Sequence, residues 1–449
     1  MPSQSFTPSP VSVTRSDWDG LSAPSLPEVF RSIPVPSGAR FWRKIGAFTG
    51  PGYLIAVGYI DPGNWATDLA GGARYGYALL SVIILSSLLA VFLQTLSLRL
   101  GIATGRDLAQ LSRERFSIPV ATGLWIGCEL AIIACDLAEV IGAAVALQLL
   151  FGLPLIAGVC LTAADVFLVL WLQSRGFRYI EALVMALLCA IAACFAMEMV
   201  IASPDLAGIS AAILPSRQIV ADPGMLYLAI GILGATVMPH NLYLHSSIAQ
   251  TRNYAVDQRG KREAIRFATI DSTTALIAAL FINAAILILA TAFNRAGYTD
   301  VSEIQDAYRL LTPVLGGGLA SLLFGLALLA AGQNSSVTGT LAGQIVMEGF
   351  MRRSLSPGLR RLVTRGLAIL PAVVVIGICG ESSAGRLLIL SQVVLSLQLS
   401  FAVVPLLMFT GDARLMGSFA NRRCVRLIGW VCAVAIAGAN AWLVWTTLA

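Results

Sequence analysis

Apolar segments of about eighteen residues or more, the length a helix needs to cross a bilayer core, recur in this chain from its first quarter to its end. A water-soluble core has no use for so many. The composition agrees, with 57% hydrophobic and 12% charged residues, where soluble domains carry about 25% charged. The reading is an all-α membrane protein that spans the bilayer many times.

Length and hydrophobicity place about eleven helices, near Ile45–Ala70, Ala78–Leu100, Pro119–Leu150, Leu153–Leu172, Tyr179–Ile201, Met225–Ile248, Ala268–Ala292, Val314–Gly349, Leu362–Cys379, Leu387–Phe409 and Val425–Leu448. The eighth carries a polar run, Gln333 to Ser336, inside its apolar pattern. Connections are short, so residues 41–449 form one membrane domain. Residues 1–40 are expected to be a disordered cytoplasmic tail: the stretch from Met1 to about Ser37 is rich in Ser and Pro and has no apolar core of a signal peptide. The eight cysteines form no C-x-x-C pair and read as structural thiols.

Basic residues set the orientation. With the N-terminus inside, Arg31, Arg40, Arg43, Lys44, Arg106, Arg113, Arg115 and the clusters from Arg252 to Arg266, from Arg352 to Arg365 and from Arg422 to Arg426 face the cytoplasm. Only Arg74, Arg217, Arg295, Arg309 and Arg386 face outward. This asymmetry accounts for the net charge of +6 without a nucleic-acid partner. An odd number of spans puts the C-terminus outside.

Two of the apolar runs are broken in matching places. The first contains Asp61-Pro62-Gly63-Asn64 and the sixth contains Met238-Pro239-His240-Asn241. Proline removes a backbone donor and clashes with the preceding turn, so each helix should unwind there. Irregular backbone at membrane depth survives only where it is buried in protein or lines a cavity. The motifs lie five helices apart, so the two helices run in opposite directions, the mark of an inverted-repeat transporter with its site at the midplane. A proline kink and one buried polar group could each be packing alone; two in register point to a site.

The donors at the breaks suit a cation. Asp61, the Asn64 side-chain oxygen and the carbonyls freed one turn before each proline, Gly58 and Ala235, supply hard oxygen. The Met238 thioether is softer and favours a transition metal such as manganese or iron(II). The two histidines, His240 and His245, diverge by about 140° around a helix and do not chelate one ion. His240 suits proton handling, while His245 reads as structural, with a relay role open. On the third helix Glu129, Asp136 and Glu139 share a stripe, and buried carboxylate chains serve as proton relays.

These motifs, together with Gly234 to Asn241, Asp136-Leu137-Ala138-Glu139 and the run from Gly332 to Phe350, resemble the Nramp family of proton-coupled divalent-metal transporters, in its bacterial MntH-like branch. The resemblance implies a LeuT-like fold of two inverted five-helix repeats, near 45–201 and 225–409, plus an eleventh transmembrane helix near 425–448. It implies metal ligation by Asp61, Asn64, Met238 and the Ala235 carbonyl, with Gly58 joining in one conformation. Relatives often have alanine at Gly58, and a backbone ligand should tolerate that change. Gln392 matches a position that approaches the ion. Asp61, His240, Asp136, Glu139 and Arg365 match the family's proton route. Ser400 departs from an expected proline. The implied partners are the lipid bilayer, divalent metal ions and protons, with no cofactor, in the inner membrane. The alternatives are an ion-coupled amino-acid or other small-solute symporter of the same fold, a magnesium-transporting relative, which would lack the methionine, and an intramembrane hydrolase, for which no nucleophile–base pair or metal motif is found.

Overall fold

A computed structural model describes residues 24–448 except 27–28, 37, 39, 163, 165–170, 172–174, 302, 317, 352–356 and 381–382; at some further helical positions it describes the backbone only. The helices of eight residues or more are α1 (Phe41–Phe48), α2 (Pro51–Gly58), α3 (Pro62–Tyr75), α4 (Leu80–Thr104), α5 (Leu108–Arg115), α6 (Ile118–Phe151), α7 (Leu155–Thr162) and α8 (Phe177–Ala202). They continue as α9 (Pro223–Thr236), α10 (Pro239–Ile248), α11 (Gln258–Arg295), α12 (Ile304–Leu315), α13 (Gly318–Met351), α14 (Pro357–Cys379), α15 (Ala384–Gly411) and α16 (Arg423–Leu448).

Among the described residues, eight helical stretches are long and apolar enough to cross a membrane, with α3 and α4 counted as one continuous stretch. Three of the eleven expected spans are not among them. The first is split into α2 and α3, the fourth runs from α7 into residues outside the described set, and the ninth, α14, offers the apolar stretch Ile369–Ile378. The polar run Gln333 to Ser336 leaves α13 unbroken, and α15 likewise continues through Ser400.

Both expected interruptions are present. Helix α2 ends at Gly58, the amides of Tyr59 and Ile60 bond to Ala56 and Val57 in tight i→i−3 turns, and α3 restarts at Pro62 with Asp61 as its N-cap. Helix α9 ends at Thr236 and α10 restarts at Pro239 with Met238 as N-cap. Proline at the first helical position has no amide to offer the carbonyl four residues back, which frees those of Gly58 and Ala235.

Long helices pack around these half-helices: α6 lies on α13 and α15, and α11 lies on α2, α3 and α4. Glycines let two of the contacts close. A β-carbon on Gly142 of α6 would lie 2.1 Å from Pro62 Cβ, and one on Gly234 of α9 would lie 2.3 Å from the Gln392 carbonyl oxygen of α15. The break in the first helix is therefore seated directly against α6.

The turn between α1 and α2 is clamped from two sides. Arg252 donates to the carbonyls of Ala47 (3.1 Å) and Thr49 (2.8 Å) and pairs with Glu181 at 2.5 Å, both partners being buried. Asp271 accepts from the amides of Gly50 (3.2 Å) and Gly52 (2.7 Å). A buried pair of this kind is costly to break from one side, because the remaining charge has no partner. Part of the segment expected to be a disordered tail also docks here. Leu26 is buried, Ser25 donates to Asp107, and Ile33–Pro34 (β1) pairs in parallel with Arg252–Asn253 (β2). The apolar Leu26 and Ile33 supply that docking; a reading of the Ser and Pro content alone overlooks them.

The tight seat at Gly142 is testable inside one helix. Gly142→Ala should lower the melting temperature of the purified protein in detergent, because Pro62 must move. Gly123→Ala, in the same helix with open space around it, should leave it unchanged or raise it slightly, since alanine is favoured over glycine in helices by about 1 kcal/mol. Equal melting temperatures for the two variants would contradict the packing.

Candidate functional site

The two breaks face each other. Asp61 Oδ1 accepts from the Asn64 amide (2.8 Å) and from Asn64 Nδ2 (2.6 Å), and the same Nδ2 reaches across to the Ala235 carbonyl at 3.2 Å. One side-chain amide thus joins the N-cap of α3 to the carbonyl freed at the end of α9. With both its N–H groups directed at oxygen, Asn64 keeps its own Oδ1 as an acceptor.

Met238 completes the facing side. Its side chain packs with Ala131 and Cys135 of α6 and Leu395 of α15. A β-carbon built on Gly58 would come within 3.3 Å of its sulfur, which puts the thioether against the end of α2. Gln392 closes a further side: its Nε2 lies 1.7 Å from where a Gly63 β-carbon would be. All of these side chains are shut off from solvent, with Asp61, Met238, Ala235 and Gln392 at 0% exposure and Asn64 at 1%.

Three acceptor oxygens in this shell have no hydrogen-bond partner among the described residues: Asp61 Oδ2, Gln392 Oε1 and Asn241 Oδ1. Buried polar atoms are ordinarily satisfied, so a cluster of acceptors left open at two broken helices requires a reason. A carboxylate oxygen, amide oxygens, a freed carbonyl and a thioether are donor types that a divalent transition metal can take.

The carboxylates of α6 separate into two groups. Asp136 and Glu139 are buried and converge on Gly339 of α13, where a β-carbon would lie 3.0 Å from Asp136 Oδ1 and 3.1 Å from Glu139 Oε1. The same stripe continues to Gly142, which touches Pro62. Asp136 and Glu139 therefore lead along one helix face to the break that carries Asp61. Glu129 is half-buried two turns away and accepts from Trp125 Nε1 at 3.1 Å. His240 is buried at the start of α10. Arg365 lies on α14, but its side chain falls outside the described residues.

Sequence reasoning reads His245 as structural without naming its partner, and it misses three further features of this region. His245 does have a structural partner: its Nδ1 meets Gln94 Oε1 at 2.9 Å, and Gln94 Nε2 donates to the Tyr59 hydroxyl at 2.8 Å. Asn283 Nδ2 donates to the Tyr59 carbonyl at 2.7 Å, supporting the gap after α2. Asp68, seven residues past Asp61, is buried with Oδ2 unpartnered among the described residues. Asn241 Nδ2 contacts Met238 Sδ at 3.7 Å, and it lies 2.3 Å from where a Gly58 β-carbon would be. The last observation adds to an expectation: alanine at position 58 would keep the backbone carbonyl but require the Asn241 amide to move. The signal for Asn241 was available, since it aligns with Asn64 in the two x-Pro-x-Asn motifs.

Known proteins share this arrangement of helices. A divalent metal cation transporter, MntH, of Nostoc sp. is 59% identical over 426 residues, 95% of this chain and 96% of that one. A manganese transporter of Eremococcus coleocola, solved with an aromatic bis-isothiourea substituted compound, is 41% identical and superposes with a TM-score of 0.87, covering 92% of this chain and 89% of its own. The fold alone extends to a nucleobase-cation-symport-1 family transporter in a closed conformation, at 16% identity and a TM-score of 0.56 over 89% of this chain and 93% of the other. This likeness supports the LeuT-like architecture. Residues 52–446 match the family described as natural resistance-associated macrophage protein-like, a family of multi-pass transporters rather than enzymes. The chain belongs to the Nramp family.

Proposed function

We propose that the chain imports divalent transition-metal ions, manganese and iron(II) among them, across the cytoplasmic membrane and couples that import to protons, with its N-terminus in the cytoplasm and its C-terminus outside. The observation that carries the proposal is the placing of the Asp61 carboxylate and the Met238 thioether at two helix breaks that Asn64 ties together. Asp61 supplies the charge, while Asn64, the Ala235 and Gly58 carbonyls and Gln392 supply neutral oxygen. Met238 disfavours magnesium, which gives up water reluctantly and prefers oxygen. The names of the relatives support the same substrate class.

An amino-acid carrier of this fold would hold a substrate carboxylate on an open half-helix N-terminus. Here the first turn of α3 is already capped by Asp61, so a second carboxylate would meet like charge. This favours a cation over an anionic head group. An intramembrane hydrolase has no support in the site.

For protons, Asp136 and Glu139 offer a buried carboxylate path that reaches the break through the Gly142 face. His240 sits at the opposite break, and Arg365 is assigned to the same route by family resemblance alone.

Uptake of labelled manganese into proteoliposomes tests the metal assignment. Asp61→Ala should cut uptake by at least about a hundredfold, because a carboxylate in contact with a divalent ion contributes several kcal/mol even at an effective dielectric of about 20. Met238→Ala should retain measurable manganese uptake but make it sensitive to excess calcium or magnesium. Normal uptake by Asp61→Ala, or transport of amino acids in place of metal by the parent, would overturn the reading. Proton coupling is tested separately: Asp136→Asn and Glu139→Gln should alter the pH profile of uptake, or its proton flux, more than they alter metal affinity. Parent-like profiles and flux in both variants would return the stripe to a structural role.

A further inference from the structure

The two half-helices repeat one local device with different chemistry. Each begins with an N-cap residue whose side chain points into the site, followed by proline, and each carries asparagine three residues after the cap. In α3 the asparagine turns back on its cap: Asn64 Nδ2 donates to Asp61 Oδ1 at 2.6 Å. In α10 the same side-chain donation is made to sulfur: Asn241 Nδ2 donates to Met238 Sδ at 3.7 Å. The backbone differs: the Asn64 amide bonds to the cap side chain, Asp61 Oδ1, at 2.8 Å, whereas the Asn241 amide bonds to the Met238 carbonyl at 3.2 Å.

We infer that Asn241 positions the Met238 thioether and thereby sets how strongly the site prefers soft over hard divalent ions. The inference rests on the reading of the two breaks as the metal site. Methionine has three rotatable side-chain bonds and adapts readily to its surroundings. Its other neighbours, Ala131, Cys135 and Leu395, confine it without directing a lone pair. The Asn241 N–H takes one lone pair of the sulfur and leaves the other for an ion. Asn241 is fully buried and its Oδ1 has no partner among the described residues, so the contact with sulfur is the side-chain hydrogen bond that fixes this amide.

Gly58 is the third member of the arrangement. A β-carbon there would stand 2.3 Å from Asn241 Nδ2 and 3.3 Å from Met238 Sδ. The amide occupies the room that glycine leaves, wedged between the end of α2 and the thioether. Filling that room displaces the amide first, because it is the nearer of the two. Gly58 and Asn241 therefore act on the sulfur as one unit, and substitutions at the two positions should not be additive.

The test is a set of cadmium and manganese affinities measured by calorimetry on the purified full chain. Cadmium depends most on sulfur, so Asn241→Ala should lower cadmium affinity relative to manganese by about threefold to tenfold, the scale of one hydrogen bond. In a Met238→Ala background the same substitution should leave the ratio unchanged. Gly58→Ala should shift the ratio in the same direction in the parent and have little further effect once Asn241 is alanine. Equal weakening of both ions by Asn241→Ala, an Asn241 effect that persists without Met238, or full additivity with Gly58→Ala would each overturn the inference. Should Asn241→Ala fail to fold, Asn241→Ser and Gly58→Ala carry the same comparison. If Met238→Ala itself leaves the cadmium-to-manganese ratio at the parent value, the reading of the site fails and the inference falls with it. A normal Met238 effect with no Asn241 effect overturns the inference alone.

Discussion

The missing amide hydrogens of Pro62 and Pro239 are the constraint on which the rest of this structure depends. A helix in a bilayer satisfies its backbone internally, and a carbonyl left open there is costly. Each proline opens one carbonyl in the middle of an apolar helix, at Gly58 and Ala235. The fold answers by bringing the two gaps together and burying them under α6 and α15. Asn64 then bonds to the Ala235 carbonyl across the gap. Asp61 Oδ2, Gln392 Oε1 and Asn241 Oδ1 remain open around the two gaps among the described residues.

Holding two half-helices in register demands rigidity around them. Glycines supply it where backbones or rings must touch, as Gly142 does at Pro62 and Gly234 at the Gln392 carbonyl. At the basic end, Arg252, Glu181 and Asp271 grip the turn that leads into α2 through its own carbonyls and amides. The side chains of the shell are buried, at 0 to 1% exposure.

Much of the site was legible in the sequence because proline has consequences at a fixed offset. A proline in an apolar run names the carbonyl four residues back, and the two motifs name their own partners by alignment. The carboxylate stripe was legible for a similar reason, since helical spacing alone puts Asp136 and Glu139 on one face. What escaped was whatever depends on how helices cross. The contact of Asn241 with Gly58 and Met238 arises where α2 meets α10, and no periodicity reports it. The same holds for the Arg252–Glu181–Asp271 clamp, whose members are scattered over three segments. Leu26 and Ile33, two apolar residues in a Ser- and Pro-rich segment, were too sparse to announce that the segment docks.

The central claim is that one divalent ion sits between the breaks in contact with both Asp61 and Met238. Anomalous diffraction from crystals soaked in manganese tests it most directly. The account predicts a single strong peak within bonding distance of the Asp61 carboxylate and the Met238 sulfur, flanked by Asn64 and the Ala235 carbonyl. A peak at another place in the chain, with none between the two breaks, would contradict it.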